Sequence, residues 1–381
     1  MYTETTSIDQ YTAYQQHLYM AFELSNSQWL LGFTIGFGQK PRQRSIPARD
    51  LPALQREIEQ AKKRFKLPVE TQVVSCYEAG RDGFWLHRYL ISIGISNLVI
   101  DSASIEVNRR AKRAKTDRID VRKLLTMLMR YHLGEKKLWS VVHVPTPVAE
   151  DNRHIHRELT DLKAQRTQHI NRIKGFLANQ GLALKISCDF PDHVPLLRLW
   201  NGNLLPPGLQ ARLQREYQRY LLVQIQIKEL ELQRKQAVRD SLQHEVEQVR
   251  QLMRLRGIGI NSAWLYVMEF FAWRNFRNRR EVGALAGLTP MPHQSGEEAR
   301  EQGISKVGNR HIRAMAIEIA WGWLRYQPNS ELSLWYQRRF GHGSKRLRKI
   351  GIVALARKLL IELWRYLECG TIPPGAVLKS T

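Results

Sequence analysis

Strand-forming signals in this chain are confined to its first ~145 residues, so an α/β part must be followed by a helical one. The runs 18–24 (LYMAFEL) and 29–36 (WLLGFTIG) are rich in aromatic and aliphatic side chains, and the turn-like Ser25-Asn26-Ser27 joins them. That combination predicts a β-hairpin. A polar helix is expected from Asp50 (DLPALQREIEQAKKRFK), then a strand over 71–77, a helix over 82–93, a strand over 97–100 and a helix over 116–132. A hairpin followed by alternating helix and strand predicts an α/β domain of the ribonuclease-H kind.

Beyond residue 146 the strand signals stop. Leu209, Leu213, Tyr217, Tyr220 and Gln224 recur at helical spacing, and the run from Leu221 (LLVQIQIKELELQRKQ) contains no Gly or Pro. Two such helices broken by PDHVPLLRLWNGNLLPPG predict an antiparallel helical hairpin or coiled-coil spacer, with a solvated surface helix as the alternative. The last part reads as all-α apart from its loops, one of them GALAGLTPMPHQSG. Near its start, Gly257-Ile258-Gly259 separates two apolar helical stretches, a helix-hairpin-helix-like element whose glycines can turn backbone N–H groups toward a phosphate. An ordinary helix turn fits the same residues. The expected domains are therefore 1–146, 147–250 and 251–381.

Charge narrows the class of partner. Fifty-nine Lys and Arg against 35 Asp and Glu leave a net +24, which repels itself unless a polyanion neutralises it. Nucleic acid is the first partner to expect. An anionic membrane surface is the alternative, but no stretch approaches the roughly 18 uninterrupted apolar residues of a span. The opening MYTETTSIDQYTAYQQ has neither the basic nor the apolar region of a secretory signal. Cys76, Cys188 and Cys369 are too scattered for a disulfide framework or a metal knuckle, and His154 and His156 point to different helix faces. A reducing, cytoplasmic setting follows as the expectation.

Four acids stand out by position. Glu23 interrupts an apolar strand, Glu78 directly follows the strand VVSCY, and Asp117 and Asp120 lie three apart at a helix start, on one face. Strand ends and helix starts meet at one edge of such a sheet, and hard carboxylate oxygens gathered there bind Mg²⁺ or Mn²⁺. Two such ions stabilise the attacking and leaving oxygens of a phosphodiester displacement. Each acid also has a plainer reading. Asp117 and Asp120 suit the first turn after the N-cap candidate Thr116, and Glu78 suits a loop. Glu23 resists that treatment, because a buried carboxylate needs a partner or a cation.

Cations surround these acids. Arg109, Arg110, Lys112, Arg113 and Lys115 precede the Asp117/Asp120 pair, and a second basic run, 338–349 (RRFGHGSKRLRK), includes Lys345 and Arg346. Its glycines predict a flexible, phosphate-gripping loop, although solvated charge runs are common. Ser295, in PHQSG, precedes Arg300, Lys306, Arg310 and Arg313. An exposed serine beside cations can act as a nucleophile on a phosphoryl group, while Ser-Gly by itself is a turn signal.

At these residues the sequence resembles a known family. AFELSNSQW, CYEAGRDG and AKRAKTDRIDVRKL, in that order, look like the RuvC-like half of the DEDD insertion-sequence transposases of the "one-ten" type. GIGINSA, LAGLTPMPHQSG and ISKVGNRHIR resemble the serine-bearing transposase half of the same bridge-RNA-guided recombinases. The resemblance covers almost the whole chain. It implies that Glu23, Glu78, Asp117 and Asp120 bind the metal and that Ser295 forms a phosphoserine link to DNA. The family's first acid is commonly Asp, so Glu23, one methylene longer, departs from its pattern. The resemblance further implies donor and target DNA, a structured non-coding RNA, a homo-oligomer (dimer or tetramer) and the nucleoid of a prokaryotic cell. Two other functions fit the residues: a stand-alone metal-dependent nuclease for branched DNA, which has no need of Ser295, and a non-catalytic basic nucleic-acid-binding protein whose acids are structural.

Overall fold

In the computed structural model, which describes residues 16–105, 117–295 and 298–379, the chain divides into two compact units, Met1–Val144 and Pro145–Thr381. The first holds a five-stranded sheet: β1 (Leu18–Leu24), β2 (Gln28–Thr34), β3 (Arg42–Pro47), β4 (Val73–Glu78) and β5 (Ser96–Ile100). Their spatial order is β3-β2-β1-β4-β5, with β1 to β3 an antiparallel meander and β4 and β5 parallel to β1. Helix α1 (Leu51–Arg64) leads into β4, α2 (Trp85–Ser92) connects β4 to β5, and α3 (Asp117–His132) follows β5.

The period-2 alternation of the strands assigns the two faces. Leu18, Met20 and Phe22 of β1 and Val73 and Tyr77 of β4 pack with Leu54 and Ile58 of α1 and Leu86 and Leu90 of α2. Tyr19, Ala21, Val74 and Cys76 point the other way, onto Val121, Leu124, Leu125 and Leu128 of α3. The helix lies close to the sheet because Gly32 of β2 has no side chain; a Cβ there would stand 2.2 Å from Val121 Cγ1 and 3.0 Å from Leu125 Cδ1. Gly32→Ala therefore overpacks this face and is expected to cost about 1–3 kcal/mol, read as a lower urea midpoint for the first unit. An unchanged midpoint would mean that α3 can lift off the sheet at no cost.

The first hairpin is as the sequence predicts, and so are α1, β4, α2, β5 and α3, within a few residues at their ends. β3 is an addition. Its residues, RQRSIP, are mostly polar, and β2 supplies the backbone partners that make them an edge strand.

The second unit is mainly helical. Its helices are α4 (Pro147–Asp151), α5 (His154–Ala178), α6 (Phe190–His193), α7 (Pro207–Asp240), α8 (His244–Met253), α9 (Ile260–Tyr266), α10 (Arg279–Leu285), α11 (Arg310–Tyr326), α12 (Glu331–Tyr336) and α13 (Lys345–Cys369). α5 and α7 form an antiparallel hairpin: Lys163 pairs with Glu231, Arg166 with Gln224, and Arg172 with Glu216. Glu216 is buried yet satisfied, since His169 (2.6 Å), Arg172 (2.5 Å) and Arg219 (2.9 Å) all reach it. Between α8 and α9 the chain turns at Gly257, whose φ of 92° is the left-handed region that glycine enters without strain. A large core then joins α8, α9, α11 and α13 around Trp264, Trp323, Leu355 and Leu359.

Two expectations for the last part are corrected. It is not all-α: β6 (Pro290–Ser295) and β7 (Glu298–Ile304) pair as an antiparallel hairpin where a loop is expected. Backbone pairing with β7 overrides the low strand propensity of Pro, His and Gln. The basic run 338–349 is also not a flexible loop. A π-helical turn, Gln337–Gly341, leads to Ser344, whose side chain caps α13 by accepting from Leu347 N–H, so Lys345 and Arg346 lie in the first turn of a 25-residue helix.

Candidate active site and nucleic-acid surface

β1 and β4 run side by side in parallel, with Phe22 opposite Tyr77, so Glu23 and Glu78 are neighbours at one end of the sheet. Each is half-buried and each follows a residue of the α3-covered face, Ala21 and Cys76, two positions earlier. Both line a cavity of about 380 Å³, together with Ser25, Asn26, Arg81 and Asp82. Asp82 is held by Arg49 (3.1 Å) and Arg81 (3.5 Å). Burial pushes the Cys76 thiol far above its usual range, and the Glu78 carboxylate beside it adds to the rise.

Asp117 and Asp120 open α3 on that same face, the first exposed and the second half-buried. α3 crosses the sheet obliquely. At its start Arg118 C=O accepts from Gln43 Nε2 of β3, and at its far end His132 Nδ1 lies 2.9 Å from the Tyr19 hydroxyl. Two pairs of carboxylates thus share a sheet face. Among the described residues, no three acidic, histidine or cysteine side chains stand close enough together to hold a metal ion. The donor set is nonetheless all carboxylate oxygen, which suits Mg²⁺ or Mn²⁺ and no softer metal. Arg109, Arg110, Lys112, Arg113 and Lys115 lie outside the described residues.

In the second unit Ser295 is the last residue of β6, paired with Glu298 of β7. The hairpin returns through β7 to a short connection that ends in the N-cap of α11. Asn309 makes that cap, its side chain accepting from His311 N–H and Ile312 N–H. The cations named from the sequence sit on this connection and the first turn after it. Lys306 and Arg310 are exposed, and Arg313 donates to Lys306 C=O at 2.9 Å.

Sequence reasoning missed what lies behind this turn. Glu269, only 1% exposed, sits in a π-helical turn, Val267–Phe271. His156 Nε2 (2.9 Å) and Arg157 Nε (2.5 Å) meet its Oε1, while Arg157 Nη2 (3.1 Å) and Asn309 Nδ2 (3.4 Å) meet its Oε2. Burial alone would raise this carboxyl. The hydrogen bonds from His156 and Arg157, and the guanidinium charge, outweigh burial and hold it far below the carboxylate range. The signal was present, because an acid inside the apolar run LYVMEFF calls for the same reasoning as Glu23.

A family model described as "Transposase IS116/IS110/IS902 family" matches residues 249–334, a segment that contains Glu269, Ser295, Lys306, Asn309, Arg310 and Arg313. The chain is 38% identical over 376 residues to y4rJ of Sinorhizobium fredii, named as a transposase, with 95% of each chain covered. It is 27% identical over 241 residues to the transposase for insertion sequence element IS1328 of Yersinia enterocolitica, covering 61% of this chain and 68% of that one. It is likewise 27% identical over 209 residues to the transposase for insertion sequence element IS1111A of Coxiella burnetii, with 54% and 55% covered. No helix of the described residues is long and apolar enough to cross a membrane.

Proposed function

The chain belongs to the IS116/IS110/IS902 family of transposases and so acts in DNA transposition, and from that premise we propose how its residues divide the work. The first unit is a RuvC-like, ribonuclease-H-like domain, a reading supported by its β3-β2-β1-β4-β5 sheet with one antiparallel meander and two further parallel strands. Glu23, Glu78, Asp117 and Asp120 would hold Mg²⁺ or Mn²⁺ on one face of that sheet. The ion, when bound, supplies positive charge to a phosphodiester whose oxygens become more negative during displacement. The observation that carries this reading is the position of Glu23 and Glu78, each directly after the paired Phe22 and Tyr77 of adjacent parallel strands, on the face that α3 covers.

In the second unit Ser295 is the nucleophile. Its Oγ attacks the phosphorus of the scissile phosphodiester, its proton departs, and the bond to the leaving deoxyribose oxygen breaks as that oxygen is protonated. The phosphoserine ester conserves the bond, so a DNA hydroxyl attacking it in the reverse sense rejoins a strand with no external energy source. Lys306, Arg310 and Arg313 would bind the flanking phosphates, with Lys345 and Arg346 at the start of α13. Net charge of +24 supports a large polyanionic partner, which we take to be a structured guide RNA as well as DNA, bound by an oligomer of this chain.

Glu78→Gln and Asp120→Asn test the metal site. Each is expected to slow strand cleavage on the order of 10²–10³-fold, the loss typical of removing one electrostatic stabiliser, while thermal melting of the protein stays near that of the parent. Wild-type rates in both variants would remove the carboxylates from the mechanism. Cleavage that survives without any serine adduct would favour the metal-dependent nuclease instead.

A further inference from the structure

Arg346 apart, the residues of one groove in the second unit are not used by the steps above. It lies between α10, the base of the β6–β7 hairpin, α12 and α13, and encloses about 620 Å³. Its charged lining is wholly cationic: Arg279, Arg280, Arg346, Lys349, Arg357 and Lys358, with no acid among the lining residues. No ion pair holds any of the six among the described residues, and Arg357 Nε is buried without a hydrogen-bond partner. A buried Nε–H in that state costs free energy unless something accepts from it.

The remaining lining is apolar. Leu288, Ile304, Val353 and Ile361 line the groove, and the Trp335 indole stands in its wall with Lys358 Nζ 4.7 Å from the ring centroid. Cations beside an apolar, aromatic-walled recess make two demands on one ligand. It must carry phosphate, and it must also bury a flat apolar face. A paired duplex meets the first demand but keeps its base faces stacked inside. An unstacked nucleotide of a single strand meets both, because every base has a face that can stack on an indole. The volume lies within the roughly 300–1,000 Å³ of pockets that hold small organic groups.

We propose that this groove captures one unstacked nucleotide of a single strand, its base against Trp335 and its phosphates among Arg346, Lys349, Arg357 and Lys358. The proposal rests on the nucleic-acid reading of the chain and adds a base pocket distinct from Ser295. It gives the protein a means to hold a strand open at the base of the β6–β7 hairpin.

The test is binding of the full chain to a fluorescein-labelled oligothymidylate and to a duplex of equal length, at several salt concentrations. Trp335→Leu is expected to weaken single-strand binding about 10-fold and to leave duplex binding unchanged, as loss of one stacking platform does. Ala354→Phe, which fills the groove from α13, is expected to do the same, and it keeps the test open if Trp335→Leu fails to fold. Equal losses on single strand and duplex would make the groove a general phosphate track and overturn the base pocket. Wild-type single-strand affinity in Ala354→Phe, or a variant whose defect is loss of self-association on gel filtration, would also overturn it. If the wild-type chain bound neither probe, the nucleic-acid reading itself would fail, an outcome separate from these.

Discussion

Ser295→Ala is expected to eliminate both recombination and any protein–DNA adduct that survives denaturing electrophoresis, while binding to DNA and RNA persists. The reason is chemical. An alanine methyl cannot attack phosphorus, and loss of a nucleophile in a covalent mechanism costs on the order of 10⁴–10⁶-fold in rate, enough to fall below detection. The fold gives little ground for a structural excuse. Ser295 is the last residue of β6, and the β6–β7 pairing is made by backbone groups that alanine retains. Ser295→Cys separates nucleophilicity from shape: a thiolate is competent in a cationic setting, and traces of adduct are expected. An adduct of normal yield in Ser295→Ala would assign the covalent step to another residue.

The second large effect is on stability. Glu269→Ala removes the carboxylate on which His156, Arg157 and Asn309 converge, leaving two donors of α5 and one at the N-cap of α11 without their acceptor. Breaking a buried pair from one side costs about 3–5 kcal/mol, and because the Arg157 side chain is half exposed and can turn to water we place the loss near 3. For a unit of this size that is a fall of about 6–12 °C in Tm. The pH dependence has a definite sign. Glu269 has a carboxyl pKa depressed by folding, so its contribution is fully present above the unfolded carboxylate value of about 4.3 and is lost as pH falls through the folded value. The gap between wild type and Glu269→Ala should thus be constant near neutrality and narrow below about pH 5. A gap that widens in acid would mean that the carboxyl is not held ionised. Because Asn309 both caps α11 and donates to Glu269, the variant should also impair strand exchange by misaligning Arg310 and Arg313.

Much of this molecule is legible in one dimension. Apolar alternation in 18–24 and the Ser25-Asn26-Ser27 turn specify a hairpin because both signals are local, and the long run from Leu221, free of Gly and Pro, specifies the second half of α7 for the same reason. Glu23 was visible as an acid among apolar neighbours, and Asp117 and Asp120 as a spaced pair at a helix start. Cationic excess identified a polyanionic partner without any coordinates.

Long-range pairing decided the rest. RQRSIP carries no strand signal of its own and becomes β3 because β2 presents a free edge to it. PMPHQS becomes β6 because EAREQGI returns alongside it, so Ser295 ends a strand where a loop is expected. Glu269 meets His156 across 113 residues of chain, and Trp335 comes to share one groove with six cations of α10 and α13. A local pattern records only what a residue needs, such as burial, a partner or a counter-charge. Which distant group satisfies that need depends on packing, and packing free energy is shared among residues that no sequence window contains.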